Sequence, residues 1–565
     1  MRDVIRESSI GQLARLFWPA KLPYPEELDG FELPADLRLD KTYPGVEKMT
    51  GHKHNNTRPH QSNISRPREA TIALQSTSNL APQQPHEPAK LALRAKLWVT
   101  TLVGLYTFAV YIGSSLYAPS EAQITRHFGV SPAVAELGIA LYVVGYGVGP
   151  LLWSPLSEIP RVGRTSIYIA TFFVFVWLAL GAALVPDGHG HGSGNGEGDG
   201  TGDKGTLAAL LALRFLLDFF GSPCLATAGA TLDDMFAPWK LGYVLCVWSS
   251  AATLGPALGP VISGFAVSGS EMGWRISQWE LLWLAAPIWL LMALTLPETN
   301  PDTILHRKAT RLRALTHRPA LPCAADIRHQ HQTPRQILTS ALLKPWAINF
   351  LDPAVAYTTI YSAVLYGTYY SFFAAFPLVF GGVYGFALGV WGLPFLAFVP
   401  GLLVAVPVYA IWFRRRVEPV MRRESPPLYG CPEGRLFPAV VATFLAPGGL
   451  FIFACTSSPK IHPLVPTTGL FVFFVCIFVV YQCMFFYLAR CYPRHSASLF
   501  AANDFARSSF AAASLLFSAP MYRALGVAGG LSLLGGLASL CAAGMLFLYL
   551  RGHRLRARSR FAQSS

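Results

Sequence analysis

Apolar segments of about 20 residues recur about twelve times between residue 97 and residue 550. A helix needs about 20 mainly apolar residues to cross the roughly 30 Å hydrocarbon core of a bilayer. Because this core offers no water to backbone groups, each segment is predicted to be a helix that satisfies its own hydrogen bonds. The predicted spans are 97–119, 134–155, 166–186, 206–229, 241–267, 278–297, 347–378, 390–412, 436–457, 464–489, 499–519 and 525–550. The predicted fold class is an all-α membrane protein.

The overall composition supports this interpretation. The chain of 565 residues is 52% hydrophobic and only 13% charged, whereas soluble proteins contain about 25% charged residues. A net charge of +14 could also suggest a nucleic-acid-binding protein. The basic residues, however, lie in loops between apolar segments, where the positive-inside rule accounts for them. The lipid bilayer is therefore an expected partner, and nucleic acid is not.

Basic residues are concentrated in the loop after span six, the loop after span eight and the C-terminal tail. They are Arg307, Lys308, Arg311, Arg313, Arg318, Arg328, Arg335, Lys344, Arg414, Arg415, Arg416, Arg422, Arg423, Arg435, Arg551, Arg554, Arg556, Arg558 and Arg560. With twelve spans, all three segments lie on one side of the membrane, and the positive-inside rule makes that side cytosolic. Both termini are therefore predicted to be cytosolic.

The long basic loop divides the spans into two sets of six. We predict a mostly disordered cytosolic tail, an N-terminal six-helix bundle, a basic cytosolic linker, a C-terminal six-helix bundle and a basic cytosolic tail. Their bounds are 1–95, 96–297, 298–346, 347–550 and 551–565. Two such bundles are the expected plan of a transporter with halves related by pseudo-symmetry.

The segment from Leu141 to Arg164 joins a glycine-rich helix to a charged loop. Its glycines, Gly145, Gly147 and Gly149, allow a neighbouring helix to approach closely. In the loop, Glu158 can pair with Arg161 or Arg164, which predicts a charged latch between two helices. The alternative is a simple basic turn on the cytosolic side.

The fifth span carries a stripe of small residues at helical spacing. Ala251, Gly255, Gly259 and Ser263 follow one another at every fourth position and so share one helix face. Pro256 and Pro260 lie beside them, and each removes a backbone hydrogen bond and bends the helix. The stripe predicts close helix packing with a role in gating, and generic packing alone is the alternative.

Together these motifs resemble the major facilitator superfamily. In particular, the chain is similar to the fungal twelve-span drug:proton antiporters related to the fluconazole/benomyl resistance and cercosporin-export proteins. The segments that carry the resemblance are Gly145–Glu158, Leu254–Pro260, Leu296–Thr299, Ile304–Arg313, Tyr370–Pro377 and Ala501–Ser508. The resemblance covers nearly everything from about residue 94 onwards and is silent on the substrate.

The resemblance implies roles for several of these residues. Glu158, Arg161 and Arg164 would belong to the family's gating loop, and Gly255, Pro256, Gly259 and Pro260 to its antiporter motif. Arg214 matches the fourth-span arginine that the family links to proton coupling. The sequence departs from the family at Ala374, which replaces a frequent glutamate, and at Asp218 and Ser263, which replace glycines.

Asp218 is the leading proton-coupling candidate. From a helix start near residue 206, it lies roughly 18 Å along the span at about 1.5 Å per residue, close to the bilayer midplane. An acidic residue there is costly and marks a functional candidate. Arg214 lies one turn away and could pair with it. The alternatives are a proton-exchanging pair and a static buried pair that fixes the helix.

Aromatic side chains crowd the seventh span and suit flat, amphipathic ligands. Among them, Tyr361 and Tyr366 lie nearest the midplane, and Tyr370 and Phe373 complete the predicted substrate pocket; helix packing is the alternative. Asp352 precedes Pro353, a pattern typical of a helix N-cap. Asn503, Asp504 and Arg507 are interpreted as part of a helix end, with Asp504 and Arg507 forming a salt bridge.

No metal is expected. His189, His191, Glu197, Asp199 and Asp203 lie in a flexible glycine-rich loop that would resist ordering around an ion. A phosphate-binding GxxxxGK[ST] loop is also missing from the sequence, so energy would come from a proton gradient without a bound cofactor.

The leading functional hypothesis is a non-enzymatic, monomeric plasma-membrane exporter. It would exchange protons for small amphipathic organic compounds such as drugs, fungicides or secondary metabolites by alternating access. One alternative is a proton-coupled importer or a facilitator of a small metabolite or polyamine on the same fold. An alternative of another class is a membrane sensor or receptor that transports nothing.

Overall fold

The computed structural model of the protein describes residues 8, 12, 91–186, 201–316, 346, 348–423, 432–492 and 496–559. Most of the predicted N-terminal tail lies outside these residues. So do the histidines of the glycine-rich loop and the linker residues 317–345. The predictions of disorder and of a metal-free loop therefore remain predictions.

Within the described residues, eleven helices are long and apolar enough to cross a membrane. The first six are α1 (Leu93–Leu116), α2 (Pro132–Ser157), α3 (Arg164–Ala183), α4 (Thr201–Gly221), α5 (Pro238–Gly269) and α6 (Ile276–Thr295). The next four are α7 (Pro353–Phe376), α8 (Phe398–Trp412), α9 (Phe437–Thr456) and α10 (Leu464–Cys491).

The last helical stretch, Ser496–Arg558, is two helices that meet at Gly526. Gly526 has a φ of 71°, a backbone conformation that favours glycine, and this residue breaks the helix. We call the parts before and after it α11 and α12. The chain therefore has twelve spanning helices in its described part, as predicted.

Several predicted boundaries moved, each for a local reason. Span four was predicted to run to residue 229, but α4 ends at Gly221 and the short helices Pro223–Ala226 and Ala228–Met235 follow. Pro223 lacks the N–H needed to continue α4. Span seven begins at Pro353 because Asp352 caps it, accepting hydrogen bonds from the backbone N–H groups of Ala354 (3.0 Å) and Val355 (3.3 Å). The predicted N-cap at Asp352 is thus confirmed.

Two predicted loops are partly helical. The linker contains the basic helix Pro301–Thr316, whose start is held by a hydrogen bond from the Asp302 N–H to the Asn300 side chain. The tail predicted to begin at 551 instead continues α12 to Arg558. Both segments are rich in arginine and leucine, which favour helices.

The alternation of the helices places their basic flanking segments together. We call this side of the protein, where α2 ends and α3 begins, the basic end; it also carries Arg307, Arg414, Arg415, Arg416 and Arg551. The other side is called the far end. The described residues of all three predicted basic segments lie at the basic end.

Helices α1–α6 and α7–α12 meet mainly along α2 with α11 and along α5 with α8. Gly147 makes the first contact possible, because a Cβ there would lie 2.6 Å from Ser508 Cβ. At the far end, a Cβ on Gly392 would lie 2.7 Å from the Pro260 carbonyl oxygen, and one on Gly389 would lie 2.6 Å from the Phe265 ring. The halves are therefore closely packed at the far end.

Candidate substrate cavity and buried charges

A cavity of about 330 Å³ lies between the two halves of the protein. It is bounded by α1, α5, α7, α8, α10 and α11 and by the segment that follows α4. Its walls carry many aromatic side chains. The aromatic lining residues are Tyr111, Trp248, Tyr366, Tyr369, Phe398, Phe478, Tyr481, Phe485 and Phe500. Such a surface suits flat apolar compounds.

The cavity extends to the basic end of the protein. Glu158, Arg164 and Asp234 line it there, together with Asp233, whose side chain is 57% exposed. The close packing of Pro260 and Phe265 against the segment before α8 separates it from the far end. This conformation therefore admits a ligand from the basic end.

The predicted pocket residues on α7 have different surroundings. Tyr366 lines the cavity. Tyr361 does not: it is fully buried and its hydroxyl donates to Thr443 Oγ1 on α9 at 3.0 Å. Tyr370 bonds to Ser114 Oγ on α1 at 3.2 Å, and Phe373 packs 5.0 Å from the Phe395 ring. Tyr361, Tyr370 and Phe373 are not among the lining residues, so their placement in the pocket requires correction. Tyr361 and Phe373 face their own half, and Tyr370 faces α1.

The rotation of each helix about its axis explains this difference. Depth in the membrane follows from counting residues, and by depth Tyr361 and Tyr366 were equally good candidates. The face that each side chain presents depends on how α7 packs against α10 and, above all, against the Ser496–Arg558 stretch. The sequence pattern of a uniformly apolar helix does not encode this packing.

Asp504 and Arg507 form a salt bridge of 2.8 Å, as predicted, but they do not lie at a helix end. They are only 5% and 7% exposed and line the cavity. Arg507 also donates to the Tyr111 hydroxyl on α1 at 2.8 Å and lies 4.8 Å from the centre of the Tyr366 ring. The pair therefore joins the two halves inside the protein. The helix that carries it, α11, starts at Ser496, before the predicted start at residue 499.

Arg214 and Asp218 are both buried but do not bond to each other. Arg214 donates to the carbonyl oxygens of Gly138 at 3.0 Å and Gly113 at 2.9 Å, on α2 and α1. Its guanidinium lies over the rings of Tyr117 and Tyr142, at 4.7 and 4.3 Å. These contacts hold α4 against both neighbouring helices.

Asp218 is fully buried, and neither carboxyl oxygen has a hydrogen-bond partner in the part of the chain that the structure describes. The predicted Arg214–Asp218 pair therefore needs correction. Arg214 donates its hydrogen bonds to two backbone carbonyls, which are strong acceptors. It makes no hydrogen bond to the Asp218 carboxyl. Such a group is rare, because burying a charge without a partner is costly.

In the gating loop, Arg164 forms a salt bridge with Asp234, which follows α4. The backbone N–H of Arg164 also donates to the Glu298 carboxylate, after α6, at 3.3 Å. The Thr165 hydroxyl donates to the Pro297 carbonyl at 2.8 Å. Glu158 and Arg161 are exposed. The loop thus connects the ends of three helices, and Asp234 is an acidic partner that sequence reasoning missed.

The stripe on α5 packs against α1. A Cβ on Gly255 would lie 2.9 Å from the Ile112 backbone nitrogen, and one on Gly259 would overlap the Ser115 hydroxyl. Pro256 lines the cavity, and the Pro260 carbonyl contacts Gly392 in the other half. The stripe therefore places the α5 backbone between α1, the cavity and the second half.

Helix α10 also contributes to the cavity, which was not predicted from the sequence. Tyr481, Gln482 and Phe485 line the cavity, and the Gln482 amide bonds to Ser249 on α5 in the other half. Gln482 was the available signal, because an amide within an apolar span needs a polar partner. Trp248, beside Ser249, also lines the cavity, but nothing in the sequence around it indicated this.

The sequence and the fold are both similar to those of known membrane transporters. The Major Facilitator Superfamily model matches residues 103–515. The MFS-type transporter pyvG of Aspergillus violaceofuscus is 40% identical over 571 residues, which cover 100% of each chain. Fluconazole resistance protein 1 of Saccharomyces cerevisiae is 35% identical over 487 residues, covering 85% of this chain and 84% of the relative.

A solved structure of the proton:xylose symporter XylE has a similar fold, with a TM-score of 0.54 and 12% identity. The match covers 81% of this chain and 96% of the symporter. The twelve helices, the cavity between their two halves and the match over residues 103–515 lead to one conclusion: this multi-pass membrane protein belongs to the Major Facilitator Superfamily.

Proposed function

We propose that the protein exports small amphipathic organic compounds in exchange for protons, by alternating access. The aromatic cavity between the halves carries this proposal, because a binding site at that place can be exposed to either side as the halves rock. The relatedness to a fluconazole resistance protein supports a drug-like substrate. Resistance is the result that export of a drug from the cell would produce.

The direction of export also fits the accessible end of the cavity. We place the basic end in the cytosol by the positive-inside rule and the protein in the plasma membrane. A compound in the cytosol would then enter past Asp233 and bind between the halves. The proposed functional unit is a monomer.

Asp218 is the proposed proton-carrying group. A neutral carboxyl avoids the desolvation cost that a buried carboxylate without a partner incurs. A movement of α4 that brings the carboxyl to Arg214 or to water would favour proton release. Arg214 would hold α4 in register through Gly113 and Gly138. Protons are then the coupling ion, and the mechanism uses no cofactor.

Growth assays in yeast lacking its native drug exporters test this proposal. Cells with and without the protein would be grown with azoles, benomyl-like compounds, polyamines and fungal toxins. Expression should raise the tolerated dose of at least one compound and lower its accumulation, and a protonophore should remove both effects. An importer would instead raise accumulation and sensitivity, and that result would contradict the proposal.

A further inference from the structure

Two buried polar groups at the cavity have no acceptor among the described residues. They are the Arg507 Nε–H on α11 and the Tyr369 hydroxyl on α7. Both residues line the cavity, and they are only 7% and 5% exposed. A buried donor without an acceptor carries an unrecovered desolvation cost. A ligand that brings an acceptor to these groups would recover it.

The rest of each side chain is held in place. Nη2 of Arg507 contacts both Asp504 and the Tyr111 hydroxyl at 2.8 Å, and these two contacts hold in place the guanidinium that carries the Nε–H. The Tyr369 ring packs edge-on against Phe398, with the ring centres 5.1 Å apart. Fixed donors lose little freedom when a ligand binds, which favours recognition.

Both donor residues lie next to one aromatic ring, that of Tyr366. The Tyr366 ring centre is 4.8 Å from the Arg507 guanidinium carbon and 6.3 Å from the Tyr369 ring centre. A flat ligand against Tyr366 could therefore place a carbonyl oxygen or a ring nitrogen near one donor or the other. Phe398 and Phe485 supply further apolar surface in the same cavity.

The local charge balance decides what kind of acceptor fits. Arg507 is already neutralised by Asp504, so an anionic ligand would place a second negative charge beside that carboxylate. A cationic ligand would be repelled by Arg507, because the Asp504 carboxylate is already paired with that arginine. The other charged lining residues are Glu158, Arg164, Asp233, Asp234 and Arg490, which belong to the basic end. The deep part of the cavity is thus suited to an uncharged ligand.

We infer that Arg507 and Tyr369 form a subsite that binds an uncharged hydrogen-bond acceptor on an aromatic substrate. The inference rests on the proposed export function and narrows its substrate class to neutral aromatic compounds with a carbonyl or an azine- or azole-type nitrogen. Asp504 is a positioning residue in this subsite, because it orients Arg507 and neutralises its charge.

Three compounds with one ring system test the subsite. Fluorenone carries a neutral carbonyl, fluorene lacks it, and fluorene-9-carboxylate is anionic. Equilibrium dialysis would measure their binding to the full-length protein in lipid nanodiscs, with empty nanodiscs subtracted. Wild type should bind fluorenone several-fold more tightly than either other compound.

The variants report on each donor separately. Tyr369→Phe removes only the hydroxyl and should lower the ratio of fluorenone to fluorene affinity about 2- to 10-fold, the range expected for one neutral hydrogen bond. Arg507→Lys keeps the charge beside Asp504 but removes the Nε–H, and it should lower the same ratio. Tyr361→Phe on the same helix, away from the cavity, should keep it.

Equal binding of all three compounds would overturn the inference, and so would tightest binding of the carboxylate. An unchanged affinity ratio in Tyr369→Phe, a variant expected to fold normally, would overturn the role of that residue. These measurements need no gradient. A protein with the expected binding preference but no export would contradict only the proposed function, whereas export without that preference would contradict only the subsite.

Discussion

At the scale of single residues, Asp218 and Arg214 have separate surroundings although one helical turn separates them. Arg214 contacts carbonyl oxygens on two neighbouring helices, whereas the carboxyl of Asp218 has no partner within the described residues. A static ion pair would need both groups to meet. Their separation favours a carboxyl that changes its protonation as the helices move.

Asp218→Asn tests this role, since asparagine has the same size but cannot titrate. We expect pH-gradient-driven uptake into inside-out vesicles to fall at least about 10-fold, while the amount of protein in the membrane stays the same. Asp352→Asn is the matched control, because asparagine also serves as an N-cap and transport should persist. Unchanged gradient-driven uptake by Asp218→Asn would contradict the coupling role.

At the scale of helices, the contact of α5 with α1 depends on the absence of side chains. Gly259→Ala would place a methyl group against the Ser115 hydroxyl, and such overpacking costs about 1–3 kcal/mol. We expect a lower Tm in thermal unfolding of the detergent-solubilised protein and slower transport. Gly269→Ala, on the same helix with no heavy atom within 4 Å of the added carbon, should leave both unchanged. Equal effects of the two substitutions would argue against this contact.

The gating loop is also an element-scale feature, because Arg164 joins the start of α3 to Asp234 after α4. Arg164→Ala or Asp234→Ala should lower the transport rate several-fold, since each leaves a partly buried charge without its partner. The double variant Arg164→Asp with Asp234→Arg should regain part of that rate. Arg161→Ala, at an exposed position, should have little effect. A swap as inactive as the single variants would show that the charge pair is not what matters.

At the scale of the whole molecule, the twelve spans were predictable because bilayer thickness sets a length that hydropathy records. The Asp352 cap was predictable for a similar reason, since it depends on neighbouring residues only. The cavity was not, because it depends on which side of each helix faces the other half. Tyr361 and Tyr366 differ in the side of α7 on which they lie. Asp234 meets Arg164 only when the segment after α4 packs against the start of α3.

The two ends of the molecule hold the halves together differently. At the far end, backbone packs against backbone where Pro260 meets Gly392. At the basic end, polar contacts cross between the halves: Tyr243 donates to Glu418 at 2.6 Å, and Arg490 lies 4.0 Å from Asp233. Alternating access would require the far-end packing to separate while the basic ends approach. Glycines at the far end allow that packing to form without interlocking side chains.

The most direct test of proton-coupled export measures whether the efflux of substrate from liposomes drives protons into them. Proteoliposomes with a pH-sensitive dye inside would be loaded with the compound to which expression gives the greatest tolerance, then diluted without a pH gradient. As the compound leaves, an antiporter brings protons in, so we predict that the lumen becomes acidic, and that empty liposomes show no change. A lumen that stays neutral would indicate a facilitator and one that becomes alkaline a symporter, and either result would contradict the proposed mechanism.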